Sequence, residues 1–181
     1  MQEEKTYWYV LFCHTGTEEK LADKLKDKLG NDSFPFVLQK SCIFRRQGEK
    51  SIFRKKLFPG YLFVESCNPA NEFMGRAFPV VYKQKEAYRF LCYGDKSDIA
   101  MHEEERIALR KLLCEEHEIG ISRGFIDGES IRITSGPLIG SESMILKINK
   151  NRNEAVIAVQ MFNNVIPVSV GVDVIEKVND A

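Results

Sequence analysis

The chain has 181 residues, and 26 Lys and Arg balance 26 Asp and Glu, so its formal net charge is zero. Apolar residues make up 44% and charged residues 29% of the chain. These proportions are typical of a globular protein and exclude wholesale disorder, a collagen-like repeat and a disulfide-dense miniprotein. A neutral total also argues against a nucleic-acid-binding protein, unless the charges are unevenly distributed.

The N-terminal part of the chain predicts a strand followed by a helix. Aromatic and β-branched residues over 7–13 predict a buried strand. Leucines recur every fourth residue over 21–29, which is the spacing of an amphipathic helix lying on a sheet. Thr15 and Glu18 have the spacing of a capping box and are predicted to start this helix.

Further strands and helices are predicted up to residue 117. Asn68-Pro69 has the pattern of an N-cap followed by proline at the first helical position, and three acids at 103–105 suit the N-terminus of another helix. The predicted strands cover 36–46, 50–57, 61–65, 80–83 and 90–92, and the predicted helices cover 68–77 and a stretch that begins at 103.

The C-terminal part predicts strands alone. Short β-rich segments at 130–134, 143–149, 154–161, 165–170 and 174–177 alternate with turn residues. Five short strands favour a small closed barrel, because a flat sheet of that size would leave its edges exposed. The predicted organisation is therefore an α+β domain at 1–117, with an antiparallel sheet flanked by helices, a linker at 118–127 and an all-β domain at 128–181.

Several classes of protein are disfavoured. The acidic start and short apolar run do not resemble a signal peptide, and no apolar stretch is long enough to span a bilayer, so a cytoplasmic protein is expected. Five cysteines and three histidines show no metal-ligand spacing, so neither a metal nor another cofactor is predicted. Enzyme motifs are missing, and Cys13 and His14 would point to opposite faces of a strand, which argues against a catalytic pair. A binding protein is favoured over an enzyme.

The neutral total conceals a basic segment. Residues 40–56 carry a net charge of +6, whereas residues 102–118 carry −3. A two-stranded ribbon bearing these cations can follow a nucleic-acid backbone. A solubilising loop is the alternative, and a membrane surface is less favoured because few aromatic residues lie nearby. The predicted nucleic-acid-binding residues of this hairpin are Lys40, Arg45, Arg46, Lys50, Arg54, Lys55 and Lys56.

Three stretches together resemble the NusG family of transcription elongation factors, over essentially the whole chain. They are Trp8-Tyr9-Val10 through Thr15-Gly16-Thr17-Glu18, then Leu57-Phe58-Pro59-Gly60-Tyr61-Leu62-Phe63-Val64, and finally Gly128 to Gly140 with Met161-Phe162 and Pro167-Val168. The resemblance implies an NGN domain at 1–117, and an SH3-like KOW barrel at 128–181 with glycine turns at Gly136 and Gly140.

The family resemblance also implies an apolar patch that docks on the clamp helices of the largest RNA polymerase subunit and suppresses pausing. The matching positions are Phe12, Phe58, Tyr61 and Phe63. Aromatic side chains beside a Pro-Gly break are expected to form an exposed partner site, with burial in the core as the alternative. Tyr61 and Phe63 are expected to share one environment, because residues two apart share a face of a strand.

In the family, the loop holding Phe162 contacts a ribosomal protein or the Rho terminator. It commonly has Gly-Arg where this chain has Asn163-Asn164, which weakens that expectation. With these differences from the family pattern, the chain resembles a specialised subgroup, similar to the LoaP antiterminators of long biosynthetic operons. The hypothesis is an operon-specific antiterminator, monomeric and independent of membranes. Its hairpin and His14 would bind a structured leader RNA or a DNA element. The alternatives are a general NusG elongation factor and a KOW-containing RNA-binding protein linked to translation.

Overall fold

The structure is a computed structural model and describes residues 5–94, 96–114, 116–127 and 130–175. The chain forms two compact units. The first unit contains the chain up to Leu38, Phe58–Ile107 and Met161–Asn164. The second contains Gln39–Leu57, Ala108–Gln160 and the chain from Val165 onward. The predicted domain boundaries stay a prediction.

The described residues form three α-helices, twelve strands and two short 3₁₀ turns. The helices are α1 (Glu18–Lys26), α2 (Ala70–Val81) and α3 (Glu103–Arg110), and the 3₁₀ turns are Glu142–Met144 and Lys150–Arg152. The strands are β1 (Tyr7–Cys13), β2 (Ser33–Phe36), β3 (Gln39–Arg46), β4 (Glu49–Lys56), β5 (Tyr61–Ser66), β6 (Ala87–Phe90), β7 (Glu118–Ile119), β8 (Ser122–Asp127), β9 (Ser130–Ser135), β10 (Ile145–Asn149), β11 (Glu154–Met161) and β12 (Asn164–Ile175).

The first unit is built on an antiparallel sheet of four strands in the order β2-β5-β1-β6. Alternate residues of β1 and β5 point to one side of this sheet, where Leu11 and Leu62 pack with Leu21 of α1 and Phe73 of α2. The α+β prediction of an antiparallel sheet with helices is therefore confirmed for this part of the chain.

The start of α1 differs from the prediction. Thr17, rather than Thr15, is the N-cap residue, and it makes no side-chain capping hydrogen bond. Glu18 is buried, and its carboxylate accepts the N–H of Gly16 at 2.8 Å and the N–H of Gly60 at 2.6 Å. The acid that was predicted to cap the helix therefore also fixes the Pro59-Gly60 turn, a long-range contact that local spacing does not reveal.

The predicted strand at 80–83 is wrong. Helix α2 continues through Pro79 to Val81, although β-branched residues and an internal proline disfavour a helix. Phe73, Ala77 and Val81 recur at intervals of four and are all buried, so packing of this stripe overrides local propensity. The helix also begins one residue later than expected, with Pro69 as its N-cap.

The second unit consists of strands in two sheets, one of three strands in the order β4-β3-β7 and one of five in the order β10-β11-β12-β8-β9. The β-rich prediction is thus confirmed, but the described residues show no pairing between the edge strands β9 and β10, so barrel closure is not observed. Strands β7 and β8 occupy the predicted linker at 118–127, and β12 replaces the two strands predicted at 165–170 and 174–177. Residues 176 and 177 lie outside the described part.

No helix in the described ranges is both long enough and apolar enough to cross a membrane.

Two-residue turns with positive φ connect the hairpins: Gln47 and Gly48 join β3 to β4, and Phe162 and Asn163 join β11 to β12. Such turns match the twist of the strands that they join.

Candidate functional site

An aromatic cluster of Phe12, Tyr61 and Tyr88 lies on the first unit. The ring centroid of Phe12 is 5.5 Å from that of Tyr61 and 5.2 Å from that of Tyr88. Phe12 and Tyr61 face each other in the β1–β5 register and are half-buried, whereas Tyr88 is 55% exposed. The cluster therefore presents aromatic surface that a partner protein can cover.

The Pro59-Gly60 turn positions Tyr61 in this cluster. Gly60 has a φ of +87°, and a Cβ there would lie 3.1 Å from the Thr15 hydroxyl oxygen and 3.4 Å from the Cys13 carbonyl oxygen. The Gly60 carbonyl accepts the Cys13 N–H at 2.8 Å. Together with the Glu18 hydrogen bond, this contact fixes the start of β5 against the end of β1.

Phe58 and Phe63 lie in a different environment from Tyr61. Phe58 is 4% exposed and Phe63 is fully buried, and their ring centroids are 6.0 Å apart. Phe63 also packs edge-on against Trp8 at 6.1 Å. The expectation that Tyr61 and Phe63 share one environment is wrong, because Phe63 lies mid-sheet opposite Val10 whereas Tyr61 begins its strand. The polymerase-binding role of the four residues stays a prediction.

Tyr88 was missed by sequence reasoning, since β6 was predicted to begin only at residue 90. It also borders a groove of about 680 Å³ along α2 and β6. Two further exposed aromatic side chains of this groove, Phe78 and Tyr82, stack with their ring centroids 5.1 Å apart. Aromatic surface therefore extends beyond the cluster on the first unit.

The basic hairpin formed by β3 and β4 belongs to the second unit. Its register runs from Gln39 opposite Lys56 to Arg46 opposite Glu49. Residues directly opposite each other share a face, so the register divides the seven cations between two faces. Lys40, Arg46 and Lys55 lie on one face with Phe44 and Phe53, which we call the aromatic face. Arg45, Lys50, Arg54 and Lys56 lie on the other with Ile52, which we call the ion-paired face.

Acidic residues neutralise much of the ion-paired face. Asp173 of β12 contacts Arg45 at 3.2 Å and Lys50 at 2.8 Å, and the hydrogen bond from Lys50 lowers the pKa of that carboxyl below its ordinary value. Arg54 contacts Glu116 at 2.5 Å and Glu118 at 2.6 Å, and the hydrogen bond to Glu116 raises the pKa of the guanidinium.

The same contacts attach the hairpin to the rest of the second unit. Glu118 is buried and also accepts a hydrogen bond from the Ser41 hydroxyl, and β7, which contains Glu118, pairs in parallel with β3. A Cβ at Gly171 would lie 2.6 Å from the Ser41 carbonyl oxygen, so only glycine permits this close approach. The ion-paired face therefore has a structural role.

The aromatic face is more exposed towards the hairpin turn. Phe44 is 52% and Phe53 is 37% exposed, and the Lys55 ammonium lies 5.1 Å from the Phe53 ring centroid. Arg46 and Lys55 form no ion pair with any residue that the structure describes. Lys40, nearer the base, is half-buried and donates to the Ser169 carbonyl at 2.5 Å. Of the seven predicted cations, Arg46 and Lys55 are the most available to a polyanion.

His14 lies on the first unit, whereas the seven cations lie on the second, so the predicted nucleic-acid-binding residues do not form one cluster within a unit. The His14 side chain is exposed, and its Nδ1 lies 3.1 Å from the Thr15 carbonyl oxygen.

The turn at Phe162 is held within the first unit. The N–H groups of Phe162 and Asn163 donate to the Glu105 carboxylate at 2.9 and 3.1 Å. Phe162 is buried, and its ring centroid lies 4.7 Å from that of Tyr93, whose pKa is raised by burial and by a hydrogen bond to Glu105. Asn164 donates to the Phe162 carbonyl at 2.8 Å. The partner-binding role of Phe162, Asn163 and Asn164 stays a prediction.

The comparisons with known proteins agree on one family. A family model described as transcription termination factor NusG matches residues 6–110. The transcription termination/antitermination protein NusG of Thermus thermophilus is 26% identical over 170 residues, which is 89% of this chain and 92% of the relative. The protein of the same name from Neisseria meningitidis is 24% identical over 183 residues, with 95% and 98% covered.

A solved structure of Thermotoga maritima NusG, described by its domain interaction, is also similar. It is 25% identical, with 92% of this chain and 94% of that chain covered, at a TM-score of 0.47. Because the family model matches more than half of the chain, the chain belongs to the NusG family.

Proposed function

We propose that this protein is a cytoplasmic, non-enzymatic transcription factor that binds RNA polymerase and regulates elongation and termination. Membership of the NusG family supports this proposal, as do curated relatives that are named termination/antitermination proteins and match nearly their full length. The observation that carries the polymerase contact is the half-exposed aromatic cluster of Phe12, Tyr61 and Tyr88, a surface suited to a protein partner.

The finer proposal is an operon-specific antiterminator, similar to LoaP, that a leader RNA recruits through the basic hairpin. It is supported by a hairpin that presents Arg46 and Lys55 without an ion-pair partner among the described residues, which is a suitable arrangement for phosphate. In this proposal the protein acts as a monomer on the clamp helices of the polymerase, while the Phe162 turn is a contact for a ribosomal protein.

A general NusG elongation factor is the second candidate. It is favoured by the even similarity of 24–26% to NusG proteins of several organisms over most of the chain. The two candidates differ in whether activity depends on the transcript leader. In vitro readthrough that requires the leader supports the specialised factor, whereas equal readthrough on any template supports the general one.

Polymerase binding is tested by pulldown of core enzyme with the full chain. Replacing Tyr61 and Tyr88 together by Ala is expected to weaken binding about tenfold or more, because aromatic side chains dominate interface energetics. Phe34→Ala is the matched control, since Phe34 is 55% exposed but lies on β2, at the opposite edge of the sheet from β6. Equal binding by the double variant and the control would contradict the assignment of the cluster.

A further inference from the structure

We propose that the aromatic face of the hairpin is a stacking platform for unpaired RNA bases. Phe44 and Phe53 would hold the bases, while Arg46 and Lys55 would bind the adjoining phosphates. The inference rests on the proposed function, which assigns the hairpin to nucleic acid, and goes beyond it by naming the strand form and the groups recognised.

The register brings the two rings to one surface. Phe44 lies opposite Ser51 and Phe53 lies opposite Cys42, so the two phenylalanines are diagonal neighbours on the same face. Both rings are substantially exposed, whereas Cys42, directly opposite Phe53, is buried. Two neighbouring exposed rings on a sheet surface are the arrangement on which successive bases stack in single-strand-binding proteins.

The charges beside the rings favour a nucleic acid as the occupant. Arg46 follows Phe44 and Lys55 follows Phe53 by two residues, so each ring has a cation on its own face. The ammonium of Lys55 lies over the Phe53 ring, 5.1 Å from its centroid. A base that stacks on this ring would displace the ammonium from the ring face, and the flexible lysine side chain can then reach the adjoining phosphate. Glu49, opposite Arg46, is the single acid of the hairpin and forms no salt bridge within the described ranges.

The pairing of rings with cations also selects the form of the nucleic acid. A duplex presents phosphates and groove edges but keeps its base faces stacked inside, so it can use the cations but not the rings. Unpaired bases in a loop, bulge or single strand can use both. The platform is therefore expected to prefer unpaired RNA to duplex RNA.

The test measures fluorescence anisotropy of the full chain with a short fluorescein-labelled RNA of alternating A and C, which cannot pair with itself. Phe44→Leu and Phe53→Leu keep apolar side chains but remove the rings, and each is expected to weaken binding about five- to a hundredfold. Phe44→Tyr keeps a ring and is expected to bind within about threefold of wild type. Ile52→Ala is the matched control, since Ile52 is 65% exposed on the other face of the same hairpin.

A second arm uses the same RNA annealed to its complement. The duplex is expected to bind more weakly, and the two leucine variants should not change that binding. The inference is overturned if Phe44→Leu and Ile52→Ala have equal effects, or if the duplex binds as tightly as the single strand. Thermal unfolding of each variant is the control that checks whether the protein still folds.

Failure of this inference is distinguishable from failure of the proposed function. If the leucine variants bind polymerase normally and RNA like wild type, the platform is wrong while the polymerase role stands. Absence of any RNA binding by the wild-type chain would overturn both the platform and the RNA recruitment. If the wild-type chain does not bind polymerase but binds RNA in a way that depends on the two rings, the polymerase role alone is wrong.

Discussion

The two faces of the basic hairpin carry similar numbers of cations but use them differently. On the ion-paired face, Arg45, Lys50 and Arg54 contact acids of the second unit. On the aromatic face, Arg46 and Lys55 lie beside exposed rings and contact no acid among the described residues. A count of positive charge along the sequence therefore overestimates the surface available to phosphate, because some cations already neutralise acids of the fold.

The difference has a physical origin in the register and in the partners of β3. Strand β3 pairs with β7, and this pairing brings Glu118 to the face that carries Arg54. Asp173 of β12 approaches the same face nearer the turn. Among the described residues no acid forms a salt bridge with Arg46 or Lys55 on the aromatic face, so the two faces differ in how many of their cations are already ion-paired.

The largest expected effect that distinguishes the faces is on RNA affinity. Replacing Arg46 and Lys55 together by Ala is expected to weaken RNA binding about tenfold to a hundredfold and to reduce the salt slope by about 1.4, because two phosphate contacts with a single strand are lost. Replacing Arg45 and Lys50 together by Ala should change the RNA affinity by less than about threefold, since both side chains already pair with the Asp173 carboxylate. Salt-dependent anisotropy titrations measure both, and equal losses in the two variants would abolish the distinction between the faces.

For stability, substitutions on the ion-paired face are expected to have larger effects than substitutions on the aromatic face, which is the reverse of their order for RNA affinity. Arg54→Ala leaves Glu118 buried without its guanidinium partner, and should lower the free energy of unfolding by about 1–2 kcal/mol. Lys55→Ala removes an exposed cation that forms no ion pair with a described residue, and should change the free energy of unfolding by less than about 0.5 kcal/mol. Urea unfolding compares the two variants, and a larger loss in Lys55→Ala would show that the structural role was assigned to the wrong face.

The smallest expected effect is a pH dependence from Asp173. Its pKa is lowered in the folded chain by Lys50, so its contribution to stability is present above the ordinary value of 3.8 and is lost as pH falls through the folded pKa. Asp173→Asn should therefore cost less than about 1 kcal/mol at neutral pH. The difference from wild type should vanish in strong acid. A difference that grew on acidification would mean that Asp173 is not stabilised as a carboxylate.

Periodic elements were predictable from the sequence, whereas elements fixed by distant partners were not. The strand at 7–13, the helix containing Leu21 and Leu25, and the strand at 154–161 follow from local spacing and are observed. Strand β8 lies in the segment 118–127, which the sequence predicts to be a glycine-bearing linker. It pairs antiparallel with the neighbouring strand β9 and in parallel with β12, and the second pairing joins residues some fifty positions apart.

The candidate site was predictable only in part for the same reason. The sequence identifies the seven hairpin cations and the aromatic residues near Pro59-Gly60. It does not reveal that Asp173 and Glu118 neutralise three of the cations, that Phe63 is buried, or that Tyr88 joins Phe12 and Tyr61. Each of these depends on register or on tertiary contact rather than on residue type.

Binding of RNA to the aromatic face can be followed directly by side-chain NMR of the full chain during titration with the unpaired RNA of alternating A and C. We expect the ring signals of Phe44 and Phe53 to move in proportion to bound RNA, while the methyl signals of Ile52 on the ion-paired face do not. Movement of the Ile52 methyl signals with unchanged phenylalanine rings would contradict this expectation.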